Sequence, residues 1–392
     1  MRQNTPRGKI LLIGPTPPPF QGVAVLTHSL LQSSLSDNFS LFHLDTSDRR
    51  PMSKAERLNL GNVYLALLHG FKCLWTLFWH RPDVVYVPIS QGALGFLRDS
   101  LFMVPARWFG AKLVVHLHGG AFDLFYDNAS PLTKIMLRFC MRRVDVGIVL
   151  CEKFRGIFGD LLPPERVVII ENGLPDEFGD REPSSFLFAN DKLRVVYLGT
   201  MMQSKGFVDL VHSAPTVLQQ FPNVKFVLVG DGSGFPEFVS AQAWVTEHGL
   251  KEHVEFVGPK WGEDKKQLLL SSDIFCFPRR APSEGQPLVI LEAMAAGLPL
   301  VTTRYAADES TLGEKGALYA KANDPEDLAA QLITLLRDQA LRAEIGLRNR
   351  QRFLTRYTME CFAQNLGRVF YEVLGVKHAA PILTRQAKAD WQ

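Results

Sequence analysis

The chain has 392 residues, of which 46% are hydrophobic and 21% charged, a composition typical of a soluble globular protein. Its formal net charge of +3 is too small to indicate a nucleic-acid partner, and its length predicts two domains. The five cysteines are scattered without a C-x-x-C pair, which favours a reducing, cytoplasmic location over a disulfide scaffold. No apolar run reaches the roughly 18 residues of a membrane span.

The first half alternates short apolar runs with helical patterns, which is typical of a parallel sheet covered by helices. The apolar runs predict strands at 9–14, 83–88, 112–118, 145–150 and 166–170. Helical patterns lie between them at 23–35, 55–80, 92–109 and 131–143. Within the second helix, His69 and Lys72 interrupt the stretch 62–80, which favours a helix packed in an α/β domain. Its aromatic residues leave an interfacial role open.

The alternation restarts in the second half of the chain. Strands are predicted at 193–199, 224–230, 254–258, 273–278 and 298–303. Three helical stretches follow at 325–337, 338–356 and 358–374. The turn-rich stretch 173–192, between the two halves, is predicted to be a linker.

These patterns predict an α/β fold with two Rossmann-like, doubly wound domains that face each other across a cleft. The predicted domains are an N-terminal acceptor-binding domain at 1–180 and a C-terminal nucleotide-sugar-binding domain at 181–375. Residues 376–392 are predicted to be a tail, and the last helix has the option of packing back on the first domain. Ligands of such sheets bind beyond the carboxyl ends of the strands, so polar residues there are the candidates for function.

Two glutamates flank the start of a predicted helix in the stretch PSEGQPLVILEAMAAG. Pro287 suits the first turn of this helix, whose free N–H groups favour phosphate or sugar hydroxyls. Glu284 would accept hydrogen bonds from a hydroxylated ligand, and Glu292 would reach another part of it, such as a ribose diol. For each glutamate alone, a helix cap or a buried ion pair is the alternative. The candidate N–H donors are Gly285, Gln286 and Leu288.

Lys205 lies between a predicted strand and a helix in LGTMMQSKG, where its charge would stabilise a leaving diphosphate. The alternative is an exposed surface lysine. Gly22 would let the backbone approach a ligand closely. Gly232 belongs to VGDGSG, which lacks the spacing of a dinucleotide fingerprint and therefore gives weak support for NAD binding.

His116 and His118 point to the same face of a predicted strand in VVHLHGG, with His118 nearer its carboxyl end. We predict that His116 is a core residue and that His118 is functional. Asp123 is a second candidate base, and a solvated loop carboxylate is its alternative. The chain has no H-E-x-x-H, D-x-D or Ser-His-Asp arrangement, so the sequence supports neither a metal site nor an enzyme nucleophile.

The spacing Glu284-x7-Glu292 resembles the EX7E motif of the retaining GT-B glycosyltransferases of family 4. The resemblance extends to FQGV, HLHGG, ENG, LGT-x4-KG and VGDGSG, and so covers nearly the whole chain. It implies transfer of a sugar from a nucleotide-diphosphate donor with retained anomeric configuration, and without a metal or another cofactor. It also implies that Glu284 contacts the donor sugar and Glu292 the ribose. His118 would bind the donor sugar or assist the acceptor, and the turn at Gly232 would border the nucleotide.

The chain departs from this family pattern at two places. Thr200 stands where the family has an arginine, so we predict that Thr200 borders the donor and that Arg279 or Arg280 supplies the missing charge. Gln21 replaces a glycine that normally precedes Gly22, which weakens that backbone contact as a prediction.

The acceptor is expected to be a lipid-linked glycan or lipopolysaccharide core at the inner face of a bacterial cytoplasmic membrane. Support comes from 131–145, which reads as a basic amphipathic helix. A helix that covers the sheet, with its arginines reaching into water, is the alternative. Two other functions remain open: a sugar-nucleotide 2-epimerase of the same fold, and a non-catalytic nucleotide-sugar-binding protein.

Overall fold

A computed structural model describes residues 8–18, 20–49, 60–179, 193–281 and 284–376. The chain divides into two compact units. The N-unit comprises Met1–Pro175, Ser283–Gln286 and Thr358–Gln392, and the C-unit comprises Asp176–Pro282 and Pro287–Tyr357. Most of the predicted linker and all of the predicted tail after Val376 lie outside the described residues, so the domain boundaries near 180 and 375 stay predictions.

The N-unit is built on a six-stranded parallel sheet in the order β2-β1-β3-β4-β5-β6. Its central strands are buried on both faces, which is why they read as continuous apolar runs such as KILLIG. The strands are β1 Lys9–Gly14, β2 Ser40–Asp45, β3 Val84–Ile89, β4 Lys112–Leu117, β5 Val146–Val149 and β6 Val167–Ile169. The helices before β6 are α1 Gly22–Leu31, α2 Leu35–Asn38, α3 Leu60–His80, α4 Ala93–Trp108, α5 Phe122–Asn128 and α6 Pro131–Met141.

Three helices of the N-unit form a layer on one face of its sheet. The connections β2 to β3, β3 to β4 and β4 to β5 all run in the same direction across the sheet. Right-handed crossovers therefore place α3, α4 and α6 on the same face. Helix α4 packs against both α3 and α6. We refer to α3, α4 and α6 together as the outer helix layer.

The C-unit is built on a second six-stranded parallel sheet, in the order β12-β11-β10-β7-β8-β9. Its strands are β7 Arg194–Leu198, β8 Lys225–Val229, β9 Val254–Gly258, β10 Ile274–Phe277, β11 Leu300–Thr303 and β12 Ala317–Ala320. Its helices are α7 Phe207–Gln220, α8 Pro236–Glu247, α9 Gly262–Leu270, α10 Leu288–Ala295, α11 Ala306–Leu312, α12 Pro325–Arg337 and α13 Gln339–Arg356. The strand order reverses at β7, so helices cover both faces of the sheet.

The last helix, α14 (Met359–Val373), belongs to the N-unit. It buries Phe370 and Tyr371 against Phe39, with ring centroids 5.8 and 4.7 Å from that of Phe39. Its first turn is fixed by the Thr358 hydroxyl, which accepts a hydrogen bond from the backbone N–H of Cys361.

The predicted α/β class with two parallel, doubly wound sheets is confirmed, but two strands were not predicted. The strands β2 and β12 both lie at sheet edges, where five of the six residues of β2 and two of the four residues of β12 are half-exposed. Such strands lack a long apolar run, so their sequence pattern is weak. Among the described residues, no helix is both long enough and apolar enough to span a bilayer.

Candidate functional site

His118 and Glu284 lie side by side in the N-unit. His118 follows the end of β4, and the next residue, Gly119, forms an antiparallel bridge with Glu284. A Cβ atom added at Gly285 would lie 2.4 Å from the carbonyl oxygen of His118, so only glycine permits this approach. Close packing therefore also requires a glycine at position 285, where Gly285 was predicted as an N–H donor.

Asn172 connects these two segments. Its backbone N–H donates to Gln286 Oε1 at 2.7 Å, and its Nδ2 donates to the Gln286 carbonyl oxygen at 3.2 Å. Its Oδ1 lies 3.1 Å from His118 Nδ1. Asn172 and Gln286 are both buried, so these contacts fix their side chains. Gln286, predicted to contact the donor, thus uses its carbonyl and side-chain oxygens to hold Asn172.

The contact with Asn172 also sets the protonation of His118. Because Asn172 Oδ1 is an acceptor, His118 Nδ1 carries the proton and Nε2 remains an acceptor. Burial lowers the pKa of His118 to about 4, although the Asn172 hydrogen bond acts in the opposite direction. His118 is therefore neutral near pH 7, and its Nε2 is suited to accept a hydrogen bond from a hydroxyl group.

The ring of His116 packs against the ring of His118. The two rings lie with centroids 3.9 Å apart, and His116 Nδ1 is 2.7 Å from the Tyr86 hydroxyl. Burial lowers the pKa of His116 well below its usual value. His116 is fully buried, which confirms the prediction that it is a core residue. Asp123 lies exposed in the first turn of α5, where its Oδ1 accepts from the backbone N–H of Leu124.

Helix α10 begins one residue later than the sequence predicts. Pro287 is the N-cap residue, in an extended conformation with ψ of 124°, and Leu288 is the first helical residue. Glu284 lies three residues before this cap, so the alternative that Glu284 is the N-cap is wrong.

The N-unit helix α1 begins at Gly22, directly after its N-cap residue Gln21.

Glu292 forms an ion pair in the C-unit. Lys265 Nζ lies 2.8 Å from Glu292 Oε1, and both side chains are mostly buried. Burial raises the pKa of Glu292, while the charge of Lys265 opposes that rise. This is the buried pair that the sequence analysis named as the alternative for this glutamate, and it leaves the ribose contact as a proposal.

Arg279 and Arg280, predicted to replace the missing positive charge beside Thr200, both pair with carboxylates of the C-unit. Arg279 Nε donates to Asp308 Oδ2 at 2.7 Å, and the two side chains are only 1% and 0% exposed. Arg280 Nε donates to Asp209 Oδ2 at 2.8 Å. Both guanidinium groups thus have partners within the C-unit, and a role at the donor stays a prediction. The sequence could not reveal this, because the carboxylates lie 29 and 71 positions away.

Lys205 ends a short 3₁₀ turn before α7. The next residue, Gly206, has φ of 82°, and a Cβ there would lie 1.8 Å from the Pro278 carbonyl oxygen. The segments after β7 and β10 are therefore packed tightly together at the point where the strand order reverses. Lys205 is half-buried and is not a freely exposed surface residue. Its burial and the charge of Arg279 lower its pKa to about 8.

Thr200 and Gly232 also follow strands of the C-unit. The Thr200 carbonyl oxygen accepts from the Tyr197 hydroxyl at 3.1 Å and from Met202 N–H at 2.8 Å. Gly232 makes room for a neighbouring ring, because a Cβ there would lie 2.3 Å from atoms of Phe238. Packing accounts for this glycine without a ligand.

The predicted residues thus form two groups. His118, Glu284, Gly285 and Gln286 come together in the N-unit, where Asn172 is a central residue that the sequence analysis did not single out. The signal for it was the ENG stretch directly after β6. Lys205, Thr200 and Arg279 lie after neighbouring strands of the C-unit, and Glu292 lies on α10. Among the described residues, no group of three or more His, Cys, Asp or Glu side chains is placed to hold a metal ion.

Residues 180–352 match the family model described as Glycosyl transferases group 1. The chain is 26% identical over 253 residues to the phosphatidylinositol N-acetylglucosaminyltransferase gpi3 subunit of Schizosaccharomyces pombe, covering 64% of this chain and 53% of that protein. It is 25% identical over 272 residues to N-acetyl-alpha-D-glucosaminyl L-malate synthase of Bacillus anthracis, covering 67% and 68%. The first of these matches thus spans only about half of the relative's length.

Two crystal structures share the fold over most of the chain. One is Anabaena HepE in complex with UDP, with a TM-score of 0.71 and 19% identity, covering 93% of this chain and all of that one. The other is sucrose-phosphate synthase from Thermosynechococcus elongatus, with a TM-score of 0.72 and 16% identity, covering 94% and 100%. At these identities, the similarity is evidence for the fold alone.

Proposed function

We propose that the chain is a retaining, metal-independent hexosyltransferase, because residues 180–352 match the family model of Glycosyl transferases group 1 and the chain shares its fold with HepE, which was solved in complex with UDP. The chain transfers a sugar from a UDP- or GDP-sugar to a glycan or lipid-linked acceptor of the cell envelope. The main support is the N-unit group in which Glu284 forms a backbone bridge with Gly119, next to His118, and Asn172 links His118 to Gln286 through hydrogen bonds. A nucleotide-sugar donor is further supported by the structures of HepE with UDP and with UDP-glucose.

Each candidate residue has a proposed role in this reaction. Lys205 stabilises the negative charge that develops on the departing diphosphate, and Glu292 binds the ribose. Glu284 and His118 bind and orient the donor sugar. The acceptor attacks from the face that the diphosphate leaves, and a phosphate oxygen accepts its proton, so no enzyme nucleophile is required.

The test of this function is the product formed from a UDP- or GDP-sugar with a lipid-linked acceptor in the presence of EDTA. We expect transfer to continue under EDTA and NMR of the product to show the donor's anomeric configuration. Inversion, or dependence on a metal, would contradict the proposed mechanism. Conversion of the donor in the absence of any acceptor would favour the epimerase instead.

The donor site is tested by thermal unfolding in the presence of UDP-, GDP- and ADP-sugars. A ligand at about 100 times its Kd adds about 2.7 kcal/mol to the free energy of unfolding, which raises the Tm of a domain this size by about 5–11 °C. We expect one nucleotide class to give this shift and Glu292→Ala to remove most of it. Glu263→Ala is the control, because this exposed carboxylate lies on α9 of the same unit. Equal shifts in Glu292→Ala and wild type would exclude the ribose role.

A peripheral membrane contact through the outer helix layer is part of the proposal. Most of the exposed large apolar side chains in the described part of the chain belong to residues 60–139. The three helices of the layer contain one acidic residue, Asp99, which is buried and paired with Arg98. Exposed aromatic residues beside cationic ones suit the interface of an anionic bilayer. On α3 the exposed residues are Leu60, Val63, Tyr64, Leu67, Phe71, Leu74, Trp75, Phe78 and Trp79.

Vesicle co-sedimentation tests this contact. We expect the full chain to bind vesicles of phosphatidylcholine that contain about 20% of the anionic lipid phosphatidylglycerol. The double variant Trp75→Gln/Trp79→Gln should bind about tenfold more weakly, because two aromatic side chains no longer enter the interface. Trp261→Gln is the matched control, since Trp261 is also half-exposed but lies in the C-unit. Equal binding of the double variant and wild type would contradict the contact.

A further inference from the structure

A cavity of about 360 Å³ opens in the N-unit between α5, α6 and the segment 156–161. Its polar lining combines two arginines and a tyrosine with three aspartates: Arg138, Arg142, Tyr126, Asp123, Asp127 and Asp160. No role has been given to this cavity so far, although its volume is sufficient for a monosaccharide with a charged substituent.

The two arginines of the cavity lie close together. Arg138 is in the last turn of α6, Arg142 is the C-cap residue one helical turn further on, and both are exposed. Within the described part of the chain, neither forms an ion pair within 4.0 Å, although three carboxylates line the same cavity. Like charges at this spacing repel each other. A bound anion would convert this repulsion into two charge-assisted hydrogen bonds.

The neighbouring Arg143, in contrast, makes contacts with its own helix. Arg143 donates to the Phe139 carbonyl oxygen and stacks over the Phe139 ring, so its guanidinium group is used within its own helix. Arg138 instead lies with its Cζ 5.8 Å from the Tyr126 ring centroid, at the wall of the cavity. Arg138 and Arg142 therefore line the cavity without an ion-pair partner among the described residues.

The remaining lining indicates what else the ligand carries. Carboxylates are strong acceptors for hydroxyl groups, and an aromatic face packs against the apolar face of a sugar ring. Asp123 and Tyr126 lie on α5, which begins only four residues after His118. The cavity thus belongs to the same stretch of the N-unit as the proposed sugar-binding group.

We propose that this cavity is an acceptor subsite for a phosphorylated sugar group, with Arg138 and Arg142 binding the phosphate and Asp123 and Asp160 the hydroxyls. This inference rests on the proposed transferase function, because it assigns the cavity to the acceptor. The phosphate belongs either to a soluble sugar phosphate or to the headgroup of a lipid-linked acceptor. The charged group recognised is the same in both cases.

The first arm of the test uses glucose 1-phosphate as a soluble probe, followed by ligand-observed NMR titration. We expect Arg138→Gln/Arg142→Gln to weaken binding of the probe at least tenfold. The control variant Lys72→Gln/Arg143→Gln also removes two positive charges, one from α3 and one just after α6, but neither residue lines the cavity. Its affinity for glucose 1-phosphate should stay within twofold of wild type. Inorganic phosphate should compete with the probe, whereas glucose should compete weakly.

The second arm distinguishes the source of the phosphate. Phosphatidylcholine vesicles with phosphatidylinositol are compared with vesicles that carry the same fraction of phosphatidylglycerol, which has equal charge but fewer hydroxyls. A preference for phosphatidylinositol that is lost in Arg138→Gln/Arg142→Gln assigns the subsite to a lipid headgroup. Equal binding to both vesicles, together with loss of glucose 1-phosphate binding, assigns it to a soluble acceptor.

Unchanged glucose 1-phosphate binding in Arg138→Gln/Arg142→Gln would overturn the proposal, as would an equal loss in the control variant. Both arginines are exposed, so we expect the double variant to fold like wild type, which a thermal melt verifies. The Glu292→Ala variant separates this inference from the donor assignment. It should bind glucose 1-phosphate at the cavity even where it no longer responds to a nucleotide sugar.

Discussion

Glu284→Gln is expected to lower kcat for sugar transfer about 10²- to 10³-fold, the range seen when one preorganised polar contact of a transition state is removed. The amide has the shape of the carboxylate but not its charge, so the loss reports on electrostatics at the donor sugar. The backbone bridge between Gly119 and Glu284 does not involve this side chain and should remain. The measurement is the initial rate of nucleoside diphosphate release in the presence of acceptor.

The control for this variant is Glu152→Gln, which removes an exposed carboxylate of the same unit that pairs with Arg155. It should retain the wild-type rate and melt within about 2 °C of wild type, as surface substitutions generally do. A thermal melt of Glu284→Gln verifies that this variant is folded. A Glu284→Gln enzyme with a rate within threefold of wild type would remove Glu284 from the proposed mechanism.

Arg279→Met is expected to lower the free energy of unfolding by about 3–5 kcal/mol, because it leaves Asp308 as an uncompensated buried carboxylate. The Arg279 guanidinium group also lies 4.7 Å from the centroid of the Tyr305 ring, and this contact is lost as well. The double variant Arg279→Met/Asp308→Leu should recover most of the loss, since an apolar pair of similar volume needs no charge partner. Chemical denaturation of the three proteins measures both effects.

The cost of Arg279→Met should depend on pH. Burial raises the pKa of Asp308 to about 6 even beside Arg279. A carboxyl group whose pKa is higher in the folded state destabilises the fold as pH rises through that value. Without Arg279 this pKa rises further, so the variant should be closer to wild type at pH 5 than at pH 8. Normal stability combined with weakened donor binding would instead restore Arg279 as a donor-binding residue.

The central parts of both sheets were predictable from the sequence because buried parallel strands carry continuous apolar runs. The edge strands β2 and β12 were not, since half-exposed strands lose that pattern. Helix boundaries shifted slightly for a local reason: Pro287 has the extended ψ of a cap residue, and the helix starts after it.

The candidate site was predictable residue by residue but not as an arrangement. The sequence identified Glu284 and His118 by their positions after strands, yet their proximity depends on Ser283–Gln286 joining the N-unit. Asn172 becomes important only once its two partners, far away in sequence, are brought to it. Arg279 illustrates the same limit, because a sequence does not show that this cation pairs with Asp308 inside the protein.

The N-unit is assembled from three separate stretches of chain, and this limits how the protein can be divided. A fragment that stops near Pro175 would lack α14 and expose the hydrophobic surface around Phe39. It would also lack Gln286, which accepts hydrogen bonds from the backbone N–H and the Nδ2 of Asn172. Both buried donors would then lose their acceptor. Recombining halves of related chains therefore requires three matched exchanges, and a chimera joined at one crossover would inherit an incomplete N-unit.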